Sequence, residues 1–288
     1  MSMNLIRVCT EDSARLTGLL YRSDKTRNRT GILPIHGTNG NFYSNVVGFI
    51  APELADCGYT ALAMNLRNHD HLFATSRFED CLLDLKAGIA RLRDEGCDRI
   101  VLIGHSLGCT EAVFYLAQTH DPSVAALVLM GAHLDLRGDT WRFFTATNPD
   151  NPKGAYERML TQCRQWIAEG KREQLVVFPQ GAPDPSLNLP IRWGAQSAAS
   201  FVSYRSPESA CNASAWIGHA KVPILFAAHP IANTGARPEF SEALCRLARS
   251  SPKAEVRIIP GADHFYNNVE AKTVGIVAAW IEEMGLAE

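Results

Sequence analysis

The sequence predicts an α/β fold in which a mostly parallel, eight-stranded sheet carries helices on both faces and an inserted helical cap. Short, almost entirely apolar runs alternate with longer amphipathic runs, a pattern typical of parallel strands that are buried on both faces. One apolar run, at residues 99–103, leads directly into a Gly-x-Ser-x-Gly motif. The alternation stops over residues 136–221 and then resumes, so an insertion interrupts the sheet-forming part of the chain.

The first half of the chain supplies six of the expected strands. Residues 5–9 and 16–21 flank a polar turn and predict an antiparallel hairpin at the entry to the sheet. Apolar runs then predict buried strands at residues 31–36, 59–66, 99–103 and 124–130. Amphipathic runs between them predict helices at residues 42–57, 78–95 and 109–118.

The second half contains the insertion and the return of the alternating pattern. Within the insertion we expect helices at 156–168 and 195–204, and a loop at 179–186 where Pro, Gly and Asp cluster. Strands at 222–228 and 254–259 and helices at 239–248 and 269–284 restore the alternation. We therefore assign residues 1–135 and 222–288 to one core domain. Residues 136–221 form the cap or lid, since long insertions at strand ends commonly cover a ligand site.

Composition excludes several classes of protein. The chain has 288 residues, 46% of them hydrophobic, and a net charge of −2, which gives no electrostatic reason to expect nucleic acid or an anionic membrane as partner. No apolar run reaches the roughly 18 residues of a membrane span, and the first residues lack the apolar core of a signal peptide. Eight scattered cysteines without a C-x-x-C motif indicate reduced thiols. We expect a cytoplasmic protein with a small-molecule substrate, and the oligomeric state stays open.

The Gly-x-Ser-x-Gly motif at residues 104–108 predicts a nucleophile elbow. A serine lifted clear of the backbone by a tight strand-to-helix turn needs very small neighbours, which Gly104 and Gly108 provide. A serine nucleophile also needs a base within hydrogen-bond reach. His264 is the candidate base, because it follows the last strand and so lies at the same edge of the sheet as Ser106.

At this point the sequence resembles the alpha/beta hydrolase superfamily over almost its whole length. The resemblance rests on His36-Gly37 after the third strand, the motif around Ser106 after the fifth, and Gly261-x-Asp263-His264 after the eighth. It implies the alpha/beta-hydrolase fold, with residues 136–221 as its cap. It also implies an oxyanion hole formed by the backbone amides of Leu107 and Thr38, which hold the negative charge that develops on the substrate.

The third member of the catalytic triad is where the sequence departs from the family pattern. The family places an Asp after the seventh strand, and the chain has no carboxylate there. We assign the role to Asp135, after the sixth strand. Asn233, Glu239, Asp263 and a Ser–His pair without a third member stay open as alternatives.

Several further residues are expected to line the substrate site: His36, His105, His133, Asn233 and Phe265. We propose no metal and no cofactor, since no carboxylate or cysteine stands at ligand spacing from paired histidines. The predicted function is a serine hydrolase that cleaves a carboxylic ester of a small to medium apolar substrate through an acyl-enzyme intermediate. The alternatives are a C–C bond hydrolase, an acyltransferase or cyclase on the same scaffold, and a ligand-binding protein with little turnover.

Overall fold

The computed structural model describes residues 1–25, 29–181, 192–230 and 237–287 of the chain. Its strands in chain order are β1 (Ser2–Cys9), β2 (Arg15–Arg22), β3 (Thr30–Ile35), β4 (Thr60–Met64), β5 (Arg99–His105), β6 (Val124–Met130), β7 (Leu175–Gly181), β8 (Arg192–Ser197), β9 (Ile224–Ala228) and β10 (Ala254–Ile258). Its α-helices are α1 (Asn45–Asp56), α2 (Cys81–Asp94), α3 (Leu107–Thr119), α4 (Leu136–Thr147), α5 (Pro152–Ala168), α6 (Ala198–Arg205), α7 (Ala213–Trp216), α8 (Pro238–Leu247) and α9 (Glu270–Glu283). Short 3-10 helices lie at Asp70–Ala74, Phe78–Asp80 and Ile217–His219.

The central sheet has eight strands in the order β1-β2-β4-β3-β5-β6-β9-β10. β1 pairs antiparallel with β2, and β2 pairs antiparallel with β4, whereas every other pairing in the sheet is parallel. The predicted fold class and the entry hairpin are therefore confirmed. β3 is buried along its whole length, as expected for a central strand that is covered on both faces.

Two hydrophobic clusters cover the two faces of the sheet. Successive strand residues point to opposite faces, so Leu33 packs into one cluster and Ile32 into the other. The first cluster includes side chains of α2, α3 and α8, and the second includes side chains of α1 and α9. This packing fixes β5 and α3 in place, and the turn between them carries Ser106.

The segment between β6 and β9 contains α4 to α7 and a two-stranded ribbon formed by β7 and β8. It has its own apolar cluster, which includes Phe144, Tyr156, Phe178 and Phe201. The ribbon was not expected, and it corrects two predictions. Residues 179–181 of the predicted loop belong to β7, because an isolated ribbon tolerates Pro179 at a register shift, and residues 182–186 of that loop lie outside the described residues. The predicted helix at 195–204 begins only at Ala198.

Two further features bear on the environment of the protein. In the part of the chain that the structure describes, none of the helices combines the length and the apolar character needed to cross a bilayer. The eight cysteines are all free thiols, and only Cys9 and Cys57 are exposed.

Candidate active site

Ser106 lies at a strained turn between the end of β5 and the start of α3. Its φ is +55° and its ψ is −117°, a conformation that a non-glycine residue holds only when its surroundings enforce it. The flanking glycines are required by packing. A Cβ atom on Gly104 would lie 2.5 Å from the carbonyl oxygen of Gly108, and one on Gly108 would lie 2.3 Å from that of Ile35. The elbow therefore has the geometry that the motif predicts.

The loop after β3 lies directly against the nucleophile. A Cβ atom on Gly37 would be 2.9 Å from the Cβ of Ser106. The loop is held by His36, whose Nε2 accepts a 3.1 Å hydrogen bond from the Leu66 amide, so its Nδ1 donates to the Gly37 carbonyl at 3.0 Å. Burial lowers the pKa of His36 to about 4, which keeps the ring neutral for this role.

The two amides predicted to form the oxyanion hole belong to Thr38 and Leu107. Thr38 follows Gly37 in the loop, and Leu107 is the first residue of α3, where amides have no partner within the helix. Among the described residues, neither amide donates to another backbone group. Both groups are therefore available to a ligand, and their role stays a prediction.

The side chain that contacts the serine is His133, in the loop after β6. The Ser106 Oγ is 3.3 Å from His133 Nε2. On the other side of the ring, Nδ1 is hydrogen bonded to the Asp139 carboxylate, whose second oxygen accepts from Arg142. A carboxylate only accepts, so Nδ1 carries the proton and Nε2 is free to accept the serine hydroxyl. Ser106, His133 and Asp139 are therefore arranged as a nucleophile, a base and an orienting acid would be.

His264, the predicted base, has different neighbours. Its ring packs on the end of β6, where a Cβ on Gly131 would lie 3.0 Å from Nδ1, and Nδ1 itself is 3.4 Å from His229 Nε2. Its carbonyl oxygen accepts a 2.8 Å bond from His105 Nε2. Burial, followed by the charges of nearby histidines including His133, holds its pKa well below the usual range, so a protonated His264 is disfavoured.

His229 follows β9 directly and faces His264. The family pattern places its acid a few residues further on, and residues 231–236 lie outside the part of the chain that the structure describes. Ser106 and His264 line the same cavity. The role of His264 as the base therefore stays a prediction. The other candidate, His133, is hydrogen bonded to the Asp139 carboxylate.

The structure does not bring Asp135 to His264. Its carboxylate accepts from the Gly138 amide and caps the N-terminus of α4, because an Asp at this position satisfies an amide that the helix leaves unpaired. The described contact of Asp135 is thus a local structural one, and its role in the triad stays a prediction.

The alternative acids also have other surroundings. Asp263 holds the loop that carries His264, since one carboxylate oxygen accepts from the amides of Phe265 at 2.9 Å and of Asn267 at 3.0 Å. Glu239 is exposed in the first turn of α8. Asn233 lies outside the described residues.

A cavity of about 530 Å³ opens over Ser106. Four of the residues predicted to line a substrate site form part of its wall, namely His36, His105, His133 and Phe265. Residues from the segment between β6 and β9 complete the wall, including Leu136, Phe143, Gln180, Arg192, Trp193 and Arg205. Although four histidines surround the cavity, no group of three metal-ligating side chains in the described ranges is arranged to hold an ion.

Asp139 is the functional residue that the sequence analysis did not find. α4 was not predicted, because its sequence contains Gly138 and several threonines, which are weak helix formers. The usable signal was local. An Asp such as Asp135 is a preferred N-cap residue, and acidic residues such as Asp139 are enriched in the first turn of a helix, where a carboxylate can turn back toward His133.

Comparisons with known proteins agree with the fold described above. The sequence matches the Alpha/beta hydrolase family over residues 35–274. No curated protein matches it. Among solved structures, the Pyrococcus furiosus esterase Pf2001 is 17% identical, with a TM-score of 0.64 over 98% of this chain and 91% of its own.

Two further solved structures are similar over nearly their whole length. Est1E from Butyrivibrio proteoclasticus is 13% identical, with a TM-score of 0.65 over 97% of this chain and 98% of its own. DcsB, solved with a substrate analogue, is 15% identical, with a TM-score of 0.73 over 98% of this chain and 99% of its own. At these identities the likeness shows a shared fold.

Proposed function

Since the chain belongs to the alpha/beta hydrolase family, we propose that it is a serine hydrolase that cleaves a carboxylic ester of a small to medium, largely apolar substrate. The observation that carries this proposal is the contact between Ser106 and His133 at the elbow, with Asp139 on the far side of the ring. Esterases among the structures of similar fold support the same class of reaction.

The reaction proceeds in two acyl-transfer steps. His133 Nε2 accepts the hydroxyl proton while Ser106 Oγ attacks the ester carbonyl, and the Asp139 carboxylate stabilises the imidazolium that forms. The amides of Thr38 and Leu107 hold the oxyanion. The proton then passes to the leaving alcohol, which departs and leaves the acyl group on the serine. Water, activated by the same imidazole, releases the acid and restores the serine.

His264 is the second candidate for the base. The described contact of His264 Nδ1 is with His229 Nε2 at 3.4 Å, whereas Nδ1 of His133 is hydrogen bonded to a carboxylate that stabilises the imidazolium formed during the reaction. Burial also disfavours the charged form of His264. The Asp139 carboxylate is the reason why we assign the proton transfer to His133.

The segment between β6 and β9 acts in this proposal as the cap that selects the substrate. It supplies the apolar wall residues Phe143 and Trp193 over the nucleophile. Trp193→Ala then changes the preferred acyl length without removing activity, which a series of 4-nitrophenyl esters from acetate to decanoate measures. We also propose a cytoplasmic location, in keeping with the eight free thiols.

The test is hydrolysis of 4-nitrophenyl butanoate together with labelling by a fluorophosphonate. Both are expected in the native protein and both are lost in Ser106→Ala. The matched control is Ser13→Ala, because Ser13 also has a positive φ but lies exposed in the turn between β1 and β2. Labelling without hydrolysis across an ester panel favours C–C cleavage or acyl transfer. A protein that is not labelled contradicts covalent chemistry and favours ligand binding.

A further inference from the structure

Arg205 is a buried cation in the segment above the nucleophile. It ends α6, its exposed fraction is 1%, and its guanidinium stacks on Phe178 with the Cζ 4.4 Å from the ring centroid. Nε donates to Gln196 at 2.7 Å and Nη1 donates to Thr140 at 2.6 Å. Among the described residues Nη2 has no hydrogen-bond partner.

In the described ranges, no carboxylate forms an ion pair with Arg205. Burial lowers its pKa to about 10, so the side chain stays cationic at neutral pH. The carboxylate that contributes to its electrostatic environment is Asp139, which is already hydrogen bonded to His133 and to Arg142. A buried charge is normally paired, because removing an ion from water is unfavourable unless another charge replaces the lost hydration.

The position of Arg205 connects this unpaired charge to the reaction site. Arg205 forms part of the wall of the cavity that also contains Ser106. Arg192 lines the same cavity, and Asp139 is the one acidic residue among the described lining residues. The cavity wall is therefore more positive than the chain as a whole, whose net charge is −2.

We propose that Arg205 binds a carboxylate of the substrate, so that the preferred ester carries an acidic group at the end remote from the cleaved bond. This inference rests on the proposed function and narrows it to half-esters of dicarboxylic acids and to similar esters with one free acid. The free Nη2 supplies the N–H groups for the carboxylate, and the substrate charge completes the pairing that the protein leaves open.

The first test compares two 4-nitrophenyl esters of equal chain length in the native protein. The acidic ester is the mono-4-nitrophenyl ester of adipic acid, and the neutral one is 4-nitrophenyl hexanoate; suberate and octanoate give a longer pair. We expect kcat/KM to favour the acidic ester at least tenfold in one of the pairs. A preference for the neutral ester in both pairs overturns the assignment.

Substitutions of single arginines then show which side chain causes the preference for the acidic ester. Arg205→Gln is expected to reduce the ratio of acidic to neutral kcat/KM to about one, mainly through KM, and Arg205→Lys is expected to keep part of it. Arg246→Gln is the control for the loss of one charge, because Arg246 lies exposed on α8 beside Glu242. A ratio that collapses in Arg192→Gln and survives in Arg205→Gln overturns the assignment to Arg205.

Measuring how esters bind to a variant that cannot hydrolyse them separates this inference from the proposed function. In Ser106→Ala, monomethyl adipate is expected to bind at least tenfold more tightly than methyl hexanoate, and the additional change Arg205→Gln is expected to remove the difference. Equal binding of the two esters contradicts the anion site. If Ser106→Ala binds monomethyl adipate tightly but the native protein hydrolyses no ester, the anion site is supported and only the proposed reaction is contradicted.

Discussion

His133 and Asp139 are joined by a hydrogen bond between the ring Nδ1 and the carboxylate, although one lies in the loop after β6 and the other in the first turn of α4. This pair sits behind Ser106, and its histidine lies 27 residues further along the chain than the serine. The loop after β9 begins with His229, which faces the other candidate base, His264. The relation between His133 and Asp139 therefore decides which histidine acts as the base.

Substituting each of the two candidate histidines separately tests which one acts as the base. We expect His133→Gln to lower kcat for ester hydrolysis by about 10²–10⁴-fold, the range that general acid–base catalysis contributes. His264→Gln is expected to lower it by less than about tenfold, because the contact of Ser106 with His133 is kept. Thermal unfolding of both variants checks that the fold is retained. If kcat falls further in His264→Gln than in His133→Gln, the base is His264.

The two aspartates near the start of α4 have different expected roles. Asp139→Asn leaves the shape unchanged but no longer fixes the proton on His133 Nδ1, and the equivalent change in serine proteases costs about 10⁴-fold in kcat. Asp135→Ala removes a helix cap and is expected to cost about 1 kcal/mol in the free energy of unfolding, with kcat nearly unchanged. Urea unfolding and steady-state kinetics separate the two. A large loss of kcat in Asp135→Ala argues for the sequence-predicted triad.

The glycine before the nucleophile is expected to tolerate no side chain. The methyl group of Gly104→Ala would lie 2.5 Å from a backbone oxygen that the adjacent helix fixes, so we expect a loss of stability of at least about 1–3 kcal/mol together with loss of activity. Gly275→Ala in α9 is the control, since nothing lies within 4 Å of the added atom. That variant is expected to gain up to about 1 kcal/mol from helix propensity. Equal stability of the two variants in urea would contradict the packing argument.

A buried carboxyl group makes stability depend on pH. Burial raises the pKa of Glu111 in α3 from 4.5, the value of an exposed glutamate, to about 8, although Asn68 donates to the carboxyl group. Between these two values the unfolded chain loses a proton that the folded chain keeps, so stability falls as pH rises. Glu111→Gln is expected to remove this slope and to be more stable at pH 8.

The measurement for Glu111 is urea unfolding between pH 6.5 and 8. His36 and His105 have their pKa values lowered to about 4 by burial, so they add stability that is lost as pH falls from 6.5 toward 4. This histidine contribution still reaches the lower end of the window but is common to both proteins, so the difference in slope between the native protein and Glu111→Gln reports the carboxyl group. Parallel slopes for the native protein and Glu111→Gln would refute the assignment.

The fold and the nucleophile follow from local patterns in the sequence. The apolar runs that became β3, β5 and β6 mark the centre of the sheet, and the two glycines around Ser106 mark the elbow. These features are readable because a strand or a tight turn is specified by residues within a few positions of each other. The order of the motifs then places Ser106 and His264 around one cavity.

The identity of the serine's partner and the charge of the cavity wall were decided only by the tertiary structure. Whether His133 or His264 approaches Ser106 depends on how α4 turns back over the sheet, and the pattern of α4 is too weak to predict that helix. Arginine is rarely buried in proteins, yet Arg205 packs against Phe178, donates to Thr140 and is buried. Distances between residues far apart in the chain are set by the packing of whole elements, and local periodicity carries no information about them.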